Sequence, residues 1–357
     1  MSPPRLSVLE TLDLFAALGA VLLSACWALL SGLRRGPDDE PSLYLHVAYA
    51  ATRKMVARCS TAQLQFLFPN TSVTYQQQAK AMQMTSCVVE LPHGARGNWI
   101  GDPDAKHVLV WYHGGGFNMS AMDGHFKFFM RFIKSRPRTK PSLSIFFPEY
   151  SLAPAARYPT QLTQAVEALR YLVTTTGRRP SSIILGGDSA GGNLVAGVLS
   201  HLTHRHEDMG ELTLTEPLAA AVMIAPWMVV NEPDAKLAGY SGGDVVSGDS
   251  LGTWARNYLG GADPDYYTNA ARAPAEWFGG FPVRKILVMA GQHEYLLPSI
   301  DAFVKALQAG YGPVEFYVAD KEAHDALFVN LVYYYHAPTG QGTKLVEWIE
   351  GVVSESA

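Results

Sequence analysis

Two glycine-rich segments, each directly behind an apolar run, constrain this chain more than any other feature. They are His113-Gly114-Gly115-Gly116-Phe117, behind His107–Tyr112, and Gly187-Asp188-Ser189-Ala190-Gly191, behind Ser182–Gly186. Short apolar runs bounded by turn signals read as buried strands. The second segment is a G-x-S-x-G turn, in which a strand bends sharply into a helix and exposes a serine hydroxyl. The first offers backbone N–H groups with no side chain in the way, the donors that stabilise charge developing on an oxygen. Together, and in this order, they point to a serine nucleophile beside an oxyanion site.

The rest of the chain supports a layered α/β architecture. Ser144–Tyr150, Ala219–Ala225, Lys285–Ala290 and Val314–Val318 are further strand-like runs. Gln161–Thr174, Gly191–His201 and Gly342–Val353 carry helical spacing. Alternation of the two kinds implies βαβ units and a mostly parallel central sheet flanked by helices. Residues 42–68 read as one or two amphipathic helices, and Val73–Leu91 as an extended region of edge strands. Trp227–Pro282 breaks the alternation and reads as a loop, glycine- and aspartate-rich over Asn231–Ser250, plus helices above the sheet.

A serine hydroxyl is a poor nucleophile until an imidazole takes its proton, and a carboxylate must fix that imidazole's tautomer. With a G-x-S-x-G elbow the acid and then the histidine follow in the chain, in loops after late strands. Glu294 follows Lys285–Ala290, and His324 follows Val314–Val318. Their rivals are Asp301 and Asp325 for the acid, and His293 and His336 for the base.

Leu14–Leu33 is a charge-free apolar run of twenty residues, preceded by Asp13 and followed by Arg34-Arg35. At 1.5 Å per residue this matches the roughly 30 Å hydrocarbon core of a bilayer. It is too long for a cleaved signal, its amino side carries Glu10 and Asp13, and no good cleavage site follows, so it reads as a transmembrane anchor. The implied layout is a tail over 1–13, the anchor over 14–33, a linker over 34–41 and one domain over 42–357. Within that domain a helical cap takes about 42–72 and part of 230–280. Arg34-Arg35 would hold the body in the cytosol by the positive-inside rule. The sequons at Asn70 and Asn118 would suit the lumen, so orientation stays open. Of Cys26, Cys59 and Cys87, only the last two can pair within the soluble part.

With 48% hydrophobic residues and a net charge of −4, the chain is neither disordered nor suited to nucleic acid. His201, His204 and His206 are not spaced like the i, i+4 pair of a zinc helix. No metal or cofactor is expected.

From about residue 100 to 350 the chain resembles the hormone-sensitive-lipase-like branch of the α/β hydrolases. His113–Gly116 and Gly187–Gly191 match its two hallmark motifs, and Tyr150-Ser151-Leu152-Ala153-Pro154 lies between them. Ala225-Pro226-Trp227, Trp254–Gly260 and Trp277–Pro282 resemble later landmarks. The resemblance implies an α/β-hydrolase fold with Ser189 as nucleophile, His324 as base and Glu294 as acid. It also implies an oxyanion hole from Gly114, Gly115, Gly116 and Ala190. Most of the family has aspartate at Glu294, a second aspartate at Pro298, and Gly-Phe where this chain has Asp325-Ala326. Fungal membrane-anchored esterases of the steryl-acetate deacetylase type share the glutamate and the His-Asp pair. That implies a single-pass protein, placed at the endoplasmic reticulum, which removes a short acyl group, acetyl first, from a lipophilic ester. A tailoring hydrolase of fungal secondary metabolism and a non-catalytic ligand receptor are the alternatives.

Overall fold

The computed structural model describes residues 4–36, 40–231 and 243–355. In chain order the elements are α1 (Val8–Ser31), α2 (Leu43–Arg58), α3 (Thr61–Leu67), α4 (Thr71–Ala81), β1 (Cys87–Glu90), β2 (Arg96–Ile100), β3 (His107–Tyr112), α5 (Asp123–Ser135), β4 (Leu143–Glu149) and α6 (Thr160–Arg170). Then come β5 (Ile183–Asp188), α7 (Ala190–Thr203), β6 (Ala220–Ile224), α8 (Gly248–Leu259), β7 (Ile286–Gly291), α9 (Leu297–Gly310), β8 (Val314–Ala319), α10 (Ala326–Val332) and α11 (Gly340–Glu355). The strands form one eight-stranded sheet in the order β1-β2-β4-β3-β5-β6-β7-β8. β2 runs antiparallel to both of its neighbours, β1 and β4, at one edge, and the pairings from β4 through β8 are all parallel.

Every residue of β3 through β7 is buried, which is why these strands read as unbroken apolar runs and not as alternations. The pleat divides them between two cores. Val108, Val110 and Tyr112 join the side covered by α6, α7 and α9. Leu109 and Trp111 join the side covered by α5 and α11. The carboxyl ends of β3, β5 and β7 open on one rim, and the glycine loop, the elbow and the Glu294 turn all leave from it.

Helix α1 begins at Val8, earlier than Leu14, because Ser7 and Glu10 form a reciprocal capping box. It packs lengthwise on α2, burying Leu14, Ala17 and Ala28. Asp13 pairs with Arg58 at 2.5 Å, and Gln63 Nε2 donates to the Glu10 carbonyl at 2.9 Å. The outward face, with Leu9, Phe15, Leu22, Leu23 and Trp27, is exposed. An 18-residue window of this helix has a mean hydropathy of 2.1, long and apolar enough to cross a membrane.

Val73–Leu91 is a correction. Its first half is α4, started by Asn70, whose side chain accepts from Val73 N at 2.9 Å, and only Cys87–Glu90 is a strand. Strand β2 and helix α5 had no counterpart in the sequence reading. Trp227–Pro282 holds α8 and two short 3₁₀ turns, Ala270–Arg272 and Ala275–Phe278. Residues 1–3 of the expected tail, 37–39 of the expected linker and 232–242 of the expected loop lie outside the described residues. The three cysteines are free thiols.

Candidate active site

The elbow between β5 and α7 holds Ser189 at φ 51°, ψ −116°, a conformation that costs about 1–3 kcal/mol and persists only where the surroundings impose it. Ser189 N donates to Ile224 O at 2.9 Å, and its carbonyl accepts from Trp227 N at 2.9 Å and Asn193 N at 3.1 Å. A Cβ at Gly191 would stand 1.8 Å from the Tyr112 carbonyl, so only glycine lets β3 and α7 approach this closely. Asn193 Nδ2 secures the turn from below, donating to Trp227 O and Thr268 O at 2.9 and 2.7 Å.

The loop after β3 turns through Gly115 and Gly116, at φ 96° and 60°. Gly116 also lies against the Trp254 ring, where a Cβ would come within 2.3 Å. Asn118 fastens the loop, donating to Gly116 O at 2.6 Å and Trp254 O at 3.1 Å. Its side chain is wholly buried, so this sequon cannot carry a glycan in the folded protein. The N–H groups of Gly115 and Gly116 have no acceptor among the described residues. Ala190 stands at the first position of α7, where helical N–H groups lack an intrahelical partner. Gly114 is a correction to the expected set: its N–H donates to Asp188 Oδ2 at 2.8 Å and is not free for a substrate oxygen.

Asp188 therefore joins the two motifs. It also accepts from Trp111 Nε1 at 2.8 Å and meets His125 Nε2 at 3.0 Å. Burial opposes its charge, but His125 and Trp111 outweigh burial and hold the carboxyl below its ordinary range. His113 stacks on Tyr150 at 4.3 Å, and Tyr150 OH donates to the His113 carbonyl at 2.7 Å. Burial pushes the His113 imidazole down to about 4, so it serves as a neutral ring that shapes the loop.

The structure brings Glu294 and His324 together, with His324 Nδ1 2.8 Å from Glu294 Oε1 and both side chains buried. Glu294 Oε2 accepts from Gly291 N at 2.9 Å, which aims the carboxylate. Burial raises the Glu294 carboxyl above its ordinary value. For His324 burial opposes charge, yet Asp325, Glu294 and Asp244 prevail and push the imidazole up to about 10. Three of the four rivals lie elsewhere: Asp301 pairs with Lys305 at 2.5 Å, His336 meets Arg131 at 3.2 Å, and His293 does not line the cavity. His201, His204 and His206 have separate partners in Gly210 O, Trp277 O and Tyr158 OH.

Asp244 is the site residue that sequence reasoning missed. Its carboxylate accepts from Val245 N at 2.7 Å, Tyr295 N at 2.7 Å and His324 N at 2.9 Å, which ties the acid turn to the base turn. It sits in a glycine-rich loop, and no local pattern marks it. Asp325, the fourth rival, does reach the base, but on its other side: Oδ2 lies 3.2 Å from His324 Nε2.

Ser189, Gly114, Gly115, His324 and Asp325 share a cavity of about 470 Å³. Its walls are mostly apolar, with Met55 and Val56 from α2, Trp254 from α8 and Val329 from α10, and α4 adds Gln77 and Gln78 at one end.

Residues 109–328 match the profile of the α/β-hydrolase fold family. Steryl acetyl hydrolase 1 of Saccharomyces cerevisiae is 29% identical over 130 residues, 35% of this chain and 28% of that protein. Carboxylesterase NlhH of Mycobacterium tuberculosis is 33% identical over 96 residues, 26% of this chain and 28% of that protein. The chain thus spans under a third of the length of these curated relatives. Among solved structures, carboxyl esterase 2 of Tuber melanosporum superposes with a TM-score of 0.62 at 19% identity, over 76% of this chain and 87% of that one. An esterase of the bacterial hormone-sensitive lipase family does so with a TM-score of 0.62 at 21% identity, over 88% and 98%. At these identities the structural likeness speaks for the fold. The chain belongs to the α/β-hydrolase fold family, in a form that resembles its hormone-sensitive-lipase-like branch.

Proposed function

We propose that this chain is a membrane-anchored serine carboxylesterase that removes a short acyl group, acetyl first, from a lipophilic alcohol such as a sterol. One observation carries the reading: a strained serine, unpaired loop N–H groups and a histidine–carboxylate pair converge on one apolar cavity. His324 Nε2 takes the Ser189 proton as Oγ attacks the ester carbonyl, and the same nitrogen then protonates the departing alcohol. The N–H groups of Gly115, Gly116 and Ala190 receive the oxyanion, each worth about 3–4 kcal/mol in the transition state. Water, deprotonated by His324, releases the acid from the acyl-enzyme and regenerates Ser189. Glu294 holds the Nδ1–H tautomer throughout.

The cavity walls and the steryl acetyl hydrolase relative support a lipophilic substrate. Helices α2 to α4 with α8 act as the cap that selects it. Helix α1 is the membrane anchor, at the endoplasmic reticulum. It packs on α2, whose other side carries Thr52, Met55 and Val56 of the cavity wall, so a bilayer-dissolved ester has a short route inward.

The test is hydrolysis of p-nitrophenyl acetate, butyrate and decanoate, then sterol acetates, by the full chain in detergent. Activity should be highest on acetate and fall about 10⁴-fold or more in Ser189→Ala and His324→Ala. A folded protein that cleaves no ester and ignores a fluorophosphonate probe at any pH would sink the esterase reading. Membrane fractions should retain the chain after carbonate extraction, and deletion of residues 1–33 should release it.

A further inference from the structure

The mechanism above leaves one buried acid unused. Asp325 is 3% exposed, and its backbone sits in the left-handed region at φ 52°, which fixes the direction of its side chain. Its Oδ2 stands 3.2 Å from His324 Nε2, the nitrogen opposite the one that Glu294 holds. Its Oδ1 is buried without a hydrogen-bond partner. Ser189 shares the cavity, yet its Oγ forms no hydrogen bond among the described residues. Nε2 has room for one partner, either through its lone pair or through one proton. Asp325 and Ser189 therefore compete for the same atom.

We propose that Asp325 is a second acid–base partner of His324 that occupies Nε2 at rest and yields it to Ser189 once their shared proton has left. The proposal rests on the serine reading above. At rest one proton lies between Nε2 and Oδ2, as imidazolium with carboxylate or as imidazole with carboxylic acid. In either form the Nε2 lone pair is unavailable to Ser189. Loss of that proton to solvent leaves the lone pair facing a carboxylate, and the two repel. Nε2 then accepts the Ser189 proton as Oγ bonds to the ester carbon. The carboxylate stabilises the imidazolium so formed, and that proton leaves on the departing alkoxide.

The charged surroundings favour retention of the shared proton. Glu294 comes from the β7 turn, Asp244 from the loop before α8, and Asp188 from the elbow. From α5, Asp123 and His125 line the cavity, while Lys127 is paired with Asp123 at 2.7 Å. On α2, Arg53 bonds the Asp244 carbonyl. Burial and the neighbouring carboxylates raise the Asp325 carboxyl well above its ordinary value, although His324 opposes this. Activity must then rise with pH through a midpoint well above the ordinary histidine value of about 6.5.

The experiment measures kcat/KM for p-nitrophenyl acetate and the fluorophosphonate labelling rate from pH 5.5 to 10. It uses the full chain in detergent as wild type, Asp325→Asn and Asp325→Glu. The wild-type acid limb should centre above about pH 8. Asp325→Asn should move it down by at least one unit, so that the variant labels about tenfold faster at pH 7 relative to its own plateau. Asp325→Glu should keep it high. An acid limb unmoved by Asp325→Asn would overturn the proposal. Should that variant not fold, a wild-type midpoint below pH 7 would overturn it equally. A wild type inert to the probe across the whole range would instead defeat the serine reading itself.

Discussion

Glu294 reaches His324 with one methylene more than an aspartate has, and Gly291 N holds its second oxygen. A Glu294→Gln change should keep the packing but lose the anion, lowering kcat by about 10²–10⁴ with KM little changed, as measured in steady-state kinetics. Asp244→Asn should cost stability, by about 1–3 kcal/mol in urea unfolding, because a buried acceptor of three N–H groups loses its charge and one of its oxygens. His107 gives a pH test. Burial, helped by Lys106 and Arg136, pushes its imidazole down to about 4, and its Nε2 is buried without a partner. Between about pH 6.5 and 4 the unfolded chain binds the proton that the folded one refuses, so this site loses stability as pH falls. Relative to wild type, His107→Val should therefore gain in urea midpoint between pH 7 and 4.5. Ser189, Glu294 and His324 were legible because each follows a strand in a fixed order. Asp244 was not, because its three partners lie in its own loop and in two distant turns. Gly114 was misread because nothing in a glycine run says which N–H is already bonded.

At the scale of elements, the apolar runs of β3 to β7 were legible because both of their faces are buried and every residue reports it. Strand β2 was not: it is short and contains Gly97, which leaves room for the Phe146 ring. Helix α4 was misread because its buried side is Thr71, Ser72, Thr74, Tyr75 and Ala79. Polar groups there replace the apolar stripe that would announce a helix, with Ser72 N donating to Glu149 at 3.0 Å. The loop of β3 demands glycine on two counts. Gly116→Ala should lower stability by about 1–3 kcal/mol and reduce kcat, since left-handed backbone and the Trp254 ring both oppose a Cβ. Thermal melting and turnover on one preparation would check this.

Across the whole molecule, the N-terminal helix and the α/β-hydrolase body form one packed unit, joined by α2. Deleting residues 1–33 would uncover the side of α2 that α1 covers. The truncated protein should melt at a lower temperature than the full chain in the same detergent while keeping its ester hydrolysis. The sequence showed the apolar length of α1 but not this contact, because Leu14, Ala17 and Ala28 form a narrow seam inside a helix that is apolar all round. Asp188 has a wider consequence. The loop from β3 and the elbow from β5 are both referenced to this one carboxylate, through Gly114 N and through Asp188's own place in the turn. When the two strands slide or twist against each other, loop and serine move as a set. The spacing between Ser189 and the Gly115 and Gly116 N–H groups is thus insulated from breathing of the sheet, and the error that two independently mounted parts would accumulate does not arise.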